Sequence, residues 1–151
     1  MPHMLGIIQV KWIDYIISFI SLLVGSFIYL IFRPMSLLMF KWVDHFGLTE
    51  KILSIRILFN DFDPNNFVIY NLPNGLWVLS ISILLIKIWG ETKSKYFKIY
   101  MSFLFILVVL PETLQFFKLL DGTFDVFDLV VNLVFFSLPF YCKKLFSSTK
   151  K

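Results

Sequence analysis

The sequence predicts an all-α, polytopic membrane protein with four transmembrane helices and an amphipathic helical segment in the first loop, in one domain over residues 1–151. Three observations lead there. Hydrophobic residues fill 58% of the chain, against roughly 45–50% apolar usage in soluble domains, and the mean hydropathy is +0.81. The apolar residues fall into runs near residues 13–32, 73–89, 96–117 and 124–142, each close to the ~20 residues that cross a hydrocarbon core about 30 Å thick. The basic residues lie in short clusters between these runs and do not form one face. The net charge of +4 therefore reads as a topology signal and excludes a nucleic-acid surface.

The first run, 13–32, is interrupted by Asp14 near its start and by a few serines. It is too long for a signal-peptide h-region and has no small-x-small cleavage site, so a retained span is expected. Arg33-Pro34 ends it: the guanidinium reaches the interface, and proline biases the residue before it out of helix. Residues 35–46 set Lys41, Asp44 and His45 against Leu38, Met39, Trp42, Val43 and Phe46, the pattern of a helix lying at the membrane surface or against the bundle. Gly47 is the expected stop. A second short helix is expected from a Thr49 cap to Phe59, although Ser54-Ile55-Arg56-Ile57 also alternates like a strand.

Asp61-Phe-Asp63-Pro-Asn65-Asn66 opens like a calcium loop but lacks its glycine at the sixth position, here Asn66, and its glutamate at the twelfth, here Leu72. A polar turn is expected there. Asn71-Leu-Pro73-Asn-Gly75 introduces the second span, with Asn71 as cap and Pro73 near the helix start. Lys87 is expected to snorkel outward beside Trp89, and 90–98 form a polar link. The third span meets Pro111, which removes the hydrogen bond to the Leu107 carbonyl and bends the helix just before Glu112. A short link leads to the fourth span, with Thr123 as its expected N-cap.

Four spans place the N-terminus, the second link and the C-terminus on one side, with Lys11, Lys87, Lys93, Lys95, Lys98, Lys143, Lys144, Lys150 and Lys151. The other side carries Arg33, Lys41, Lys51, Arg56 and Lys118. The positive-inside rule then puts both termini in the cytoplasm, with the protein multi-pass in the cytoplasmic membrane.

The stretch 111–132 carries the chemistry. Glu112 and Gln115 are three apart, and Asp125, Asp128 and Asn132 stand at i, i+3 and i+7, within about 60° of one another on a helix. A short link makes the last two spans an antiparallel hairpin, so the two faces can meet as one polar ladder, with Glu112 and Asn132 about 9–12 Å deep. Carboxylates in an apolar span cost a few kcal/mol unless paired, protonated or facing water, and three so close repel one another unless a cation or hydrogen bonds intervene. Glu112 and Asp128 are the candidate acid, base or ligand-binding groups, with Asp125 assisting. Asp125 could equally be a carboxylate favouring the helix dipole in the first turn. Gln115 and Asn132 are candidate substrate-orienting groups, or bonds across the helix pair. A lone Cys142 excludes an intrachain disulfide, and His3 with His45 cannot build a zinc site; a divalent cation on oxygen ligands is the cofactor the carboxylates would suit. Nothing resembles a Gly-rich phosphate loop or a Ser-His-Asp set. The aromatic residues, 19% of the chain, read as packing or lipid-facing groups.

At these residues the chain resembles the VanZ-like family of small bacterial membrane proteins. That family pairs Glu-x-x-Gln at the end of one span with Thr-Phe-Asp, an Asp three residues on and an Asn four further. Here these are Glu112-Thr-Leu-Gln115 and Thr123-Phe-Asp125-Val-Phe-Asp128-Leu-Val-Val-Asn132, and Asn71-Leu-Pro73-Asn-Gly75 is similar to the family's approach to the preceding span. The likeness covers about half the chain. Departures are Gly122 where the family often has Arg, Phe135 where it has glycine three residues after the Asn, and a loop about one residue longer. The resemblance implies a cell-envelope protein of the bacterial inner membrane, related to glycopeptide resistance. Two functions follow as expectations. One is an outward-facing intramembrane pocket that binds or processes a lipid-linked or glycan envelope molecule. The alternative is a non-catalytic accessory subunit of a larger membrane assembly, with membrane-protein partners or a homo-oligomer. Whether the protein is an enzyme stays open.

Overall fold

A computed structural model describes the backbone of residues 2–89, 95–120 and 123–148, and the side chains of residues 12–89, 95–120 and 123–142. The side chains of Lys11, Lys93, Lys143, Lys144, Lys150 and Lys151, and Gly122, lie outside these. Among the described residues all regular structure is helical. The order is α1 (Pro2–Phe32), α2 (Leu38–His45), α3 (Thr49–Leu58), a π-helical turn (Phe67–Asn71), α4 (Leu72–Trp89), α5 (Lys95–Phe116) and α6 (Val126–Ser148). Three stretches, Trp12–Phe32, Phe67–Trp89 and Lys95–Phe116, are long and apolar enough to cross a membrane, and Val126–Cys142 is a shorter apolar helix.

Burial is arranged as it is in lipid-embedded bundles. Outward faces carry Ile16, Phe19, Phe103, Ile106 and Val134, whereas Ser18, Ser21, Ser80 and Ser82 are buried between helices. In hydrocarbon, apolar side chains gain nothing by turning inward, and small residues let backbones approach. Ser18 Oγ lies 3.0 Å from both the carbonyl and the hydroxyl oxygen of Ser80, and Trp77 Nε1 donates to Ser26 at 3.2 Å. α4 is the central helix. Among the described residues it alone packs against each of α1, α5 and α6.

Lys87, expected to snorkel outward, instead forms an ion pair with Asp14 of α1. Pairing satisfies both charges at once. At the opposite end Pro34 has no N–H, which leaves the Leu30 carbonyl four residues back without its helical partner. Arg56 of α3 replaces it: Nε and Nη2 donate to Leu30 O at 2.8 and 2.6 Å, and Nη2 also donates to Arg33 O at 2.7 Å. Its guanidinium lies 5.0 Å from the centre of the Phe40 ring. Burial lowers the Arg56 pKa from its ordinary value, and the group remains a cation that completes the end of α1.

The first loop holds both expected short helices, and Ser54-Ile55-Arg56-Ile57 is helical. Gly47 ends α2 at φ 65°, with Gly47 N–H bonded to Asp44 O at 2.9 Å and Leu48 N–H to Val43 O at 3.1 Å. This is the left-handed helix stop that glycine adopts without a Cβ clash. Thr49 is not the cap of α3, because its hydroxyl donates back to Asp44 at 2.9 Å. Phe40 is the residue of α2 that is buried; Leu38, Trp42 and Phe46 point away from the protein.

Two helix starts differ from expectation. Asn71 caps nothing: the helix begins earlier, and the side-chain cap comes from Asn65, whose Oδ1 accepts the Val68 N–H at 3.0 Å. The chain then passes through the wide π turn directly before Pro73, giving a ring inside a helix the room a regular turn denies it. At α6, Thr123 precedes the helix and the cap is Asp125, whose Oδ1 accepts the Phe127 N–H at 2.8 Å and whose carbonyl accepts the Leu129 N–H at 3.3 Å. The third span, α5, carries Pro111 within it and ends at Phe116. There Leu119 N–H bonds to Leu114 O at 2.8 Å, with Lys118 at φ 57° in the position that usually takes glycine.

Candidate functional site

The polar residues meet at the end of the bundle where α1 finishes, the π turn begins, α5 ends and α6 starts. The centre is Asn71, only 5% exposed. Its Nδ2 donates to Asp125 Oδ2 at 3.1 Å and to Asp128 Oδ1 at 2.9 Å, so one amide holds both carboxylates at the start of α6 against the π turn. Asn74, one turn further, donates to the same Asp128 oxygen at 3.4 Å and to the Tyr70 carbonyl at 3.4 Å. Glu112 is buried, and its Oε2 accepts the backbone N–H of Asp125 at 3.2 Å. One contact thus fixes the end of α5 to the cap of α6.

The sequence placed Glu112, Asp125 and Asp128 together, and they are together. It did not place Asn71 and Asn74 with them. The expected ladder between the last two helices is in fact a three-helix junction, because α6 packs more extensively on α4 than on α5. The physical reason is Gly75: a Cβ there would lie 2.7 Å from Val131 Cγ1 and 3.0 Å from the Phe135 ring. Phe135 stands where the resembling family has glycine, and the glycine at the close approach is Gly75 of α4. A helix beginning before Asn71 puts Asn71, Asn74 and Gly75 on the surface facing α6, and recognising that earlier start would have revealed them.

Gln115 and Asn132 behave differently from the carboxylates. Gln115 is half-buried and makes no side-chain hydrogen bond among the described residues. Asn132 is buried one turn below Asp128, and its Oδ1 has no partner among the described residues. Neither forms the cross-helix bond considered for it. Among the described residues no three His, Cys, Asp or Glu side chains are grouped so as to hold a metal ion.

What the cluster offers is acceptors. The carboxylates of Glu112, Asp125 and Asp128 present two oxygens each. The donors reaching them are the Asn71 and Asn74 amides and the N–H groups of Asp125 and Phe127. Each carboxylate oxygen can accept about two hydrogen bonds, so acceptor capacity well exceeds the donors supplied by the described residues.

Comparison with family models, with curated proteins and with solved structures finds no match to this chain in any of the three.

Proposed function

We propose that the chain is a four-span, VanZ-like protein of the bacterial cytoplasmic membrane, with both termini in the cytoplasm, α2 and α3 at the outer surface, and a polar pocket opening outward. The pocket binds the polar head of an amphiphilic envelope molecule such as a lipid-linked sugar. The observation that carries this reading is the surplus of acceptors, buried on Glu112 and half-buried on Asp125 and Asp128. A head rich in hydroxyl or ammonium donors supplies what the protein's own groups leave short, and membrane-spanning helices place that head beside the lipid that holds its tail. Glu112 and Asp128 accept from the ligand and are the acid and base of any reaction carried out on it, with Asp125 assisting and Gln115 and Asn132 orienting the head.

Asn71 bridging two carboxylates directly favours a second reading, in which the network is internal glue in a non-catalytic accessory subunit. One experiment separates the two. The full chain is purified in mild detergent, and its retained lipids and companion proteins are identified by mass spectrometry, alongside Glu112→Gln and Asp128→Asn. The first reading expects a hydroxylated or amino amphiphile enriched on the wild type and depleted at least about tenfold in both variants, the equivalent of losing one charged contact worth ~1.4 kcal/mol, with yield unchanged. Identical lipid profiles and a stoichiometric companion chain favour the second.

A further inference from the structure

Arg33 and Arg56 lie at the same end of the bundle with opposite circumstances. Arg56 is occupied by the carbonyls of Leu30 and Arg33. Arg33 donates to one protein acceptor, the Tyr70 carbonyl, from Nη2 at 3.2 Å. Its Nε is buried without a partner, and among the described residues no carboxylate lies within ion-pair distance of it. Two rings flank the guanidinium, Tyr29 at 5.3 Å and Tyr70 at 4.8 Å. These aromatic contacts orient the planar fork and partly compensate its charge, but they accept no conventional hydrogen bond. Among the described residues this half-buried, oriented cation has most of its donors unused and no counter-ion.

Its position says where that counter-ion belongs. The Tyr70 carbonyl that accepts from Arg33 also accepts from Asn74 at 3.4 Å, and the same Asn74 amide donates to Asp128. The cation and the carboxylates are thus two poles of one site, separated by a carbonyl and an amide. We infer that Arg33 is the anion-binding pole and takes a phosphoryl group, while the hydroxyl- or amine-bearing remainder of the same molecule meets Asp128 and Glu112. The inference rests on the reading of the acidic cluster as a head-group site and adds the ligand's second chemical group. A planar guanidinium suits the paired oxygens of a phosphoryl group.

The test follows thermal unfolding of the full chain in a neutral detergent, titrated with dioctanoyl phosphatidic acid, with dioctanoylglycerol, which has the same tails and no phosphate, and with inorganic phosphate. Phosphatidic acid is expected to raise the wild-type midpoint by about 3 °C or more, with dioctanoylglycerol giving no comparable rise and Arg33→Gln losing the difference between them. A matching rise with inorganic phosphate identifies the phosphoryl group alone as the ligand feature; a rise with phosphatidic acid only assigns it to a membrane-borne molecule. Equal responses to the two lipids in the wild type overturn the inference even where the variant does not fold, and so does a full phosphatidic-acid response in Arg33→Gln. If Asp128→Asn loses its amphiphile while Arg33→Gln keeps that full response, only the Arg33 assignment fails. An unchanged lipid profile in Asp128→Asn removes the head-group reading itself.

Discussion

At the scale of single residues, the cluster turns on a neutral side chain between two negative ones. Asn71 Nδ2 donates to Asp125 and Asp128 at once, so Asn71→Ala removes the donor to Asp125 Oδ2 and leaves Asp128 Oδ1 with only the longer bond from Asn74. Hydrogen bonds to charged groups contribute ~1.5–3 kcal/mol, and we expect a loss near that range, read as a lower unfolding midpoint in detergent. Gln115→Ala, which removes no side-chain hydrogen bond among the described residues, is expected to stay within about 0.5 kcal/mol of wild type. If the two variants unfold together, the bridge is not what holds the junction. The carboxylates were legible in the sequence because charge in an apolar run is conspicuous. Asn71 was not, because Asn two residues before Pro looks like a cap, and only the π turn, a feature without a sequence period, moves it inside the helix.

Between elements, the site depends on how closely α4 and α6 approach. Gly75→Ala puts a methyl group 2.7 Å from Val131 Cγ1 and 3.0 Å from Phe135, forcing both side chains to move. Overpacking of this kind costs ~1–3 kcal/mol, and because Asp128 sits one turn from Val131 the variant is also expected to bind less of the amphiphile proposed as the ligand. Unfolding and lipid content measured on the same sample check both effects, and an unchanged midpoint would show that the helices do not pack this closely. The helices, the Gly47 stop and the proline within α5 were legible from apolar runs and punctuation. Which helices touch was not, since the short link between α5 and α6 advertises their pairing while nothing in the order of the chain advertises α4 as the centre.

For the whole molecule, charges are distributed by end. The Asp14–Lys87 pair lies at one end of the bundle. The other end gathers Arg33, Arg56, Glu112, Asp125 and Asp128 around the end of α1 and the start of α6. Composition alone indicated a helical bundle suited to lipid, and the inverted burial of serines and phenylalanines agrees with it. The phosphoryl pole of the proposed ligand was not legible, because acceptors beside a guanidinium with no carboxylate partner among the described residues appear only once three helices and the π turn are brought together. The account stands on that pairing of opposite poles, and an experimental structure of the full chain in a lipid bilayer tests it most directly. It predicts density bridging Arg33 and the Asp128 carboxylate, with donors of the bound molecule within hydrogen-bond distance of Asp128 and Glu112. Well-ordered Arg33, Asp128 and Glu112 side chains bonded only to protein and water, in a sample that retains its native lipids, would contradict it.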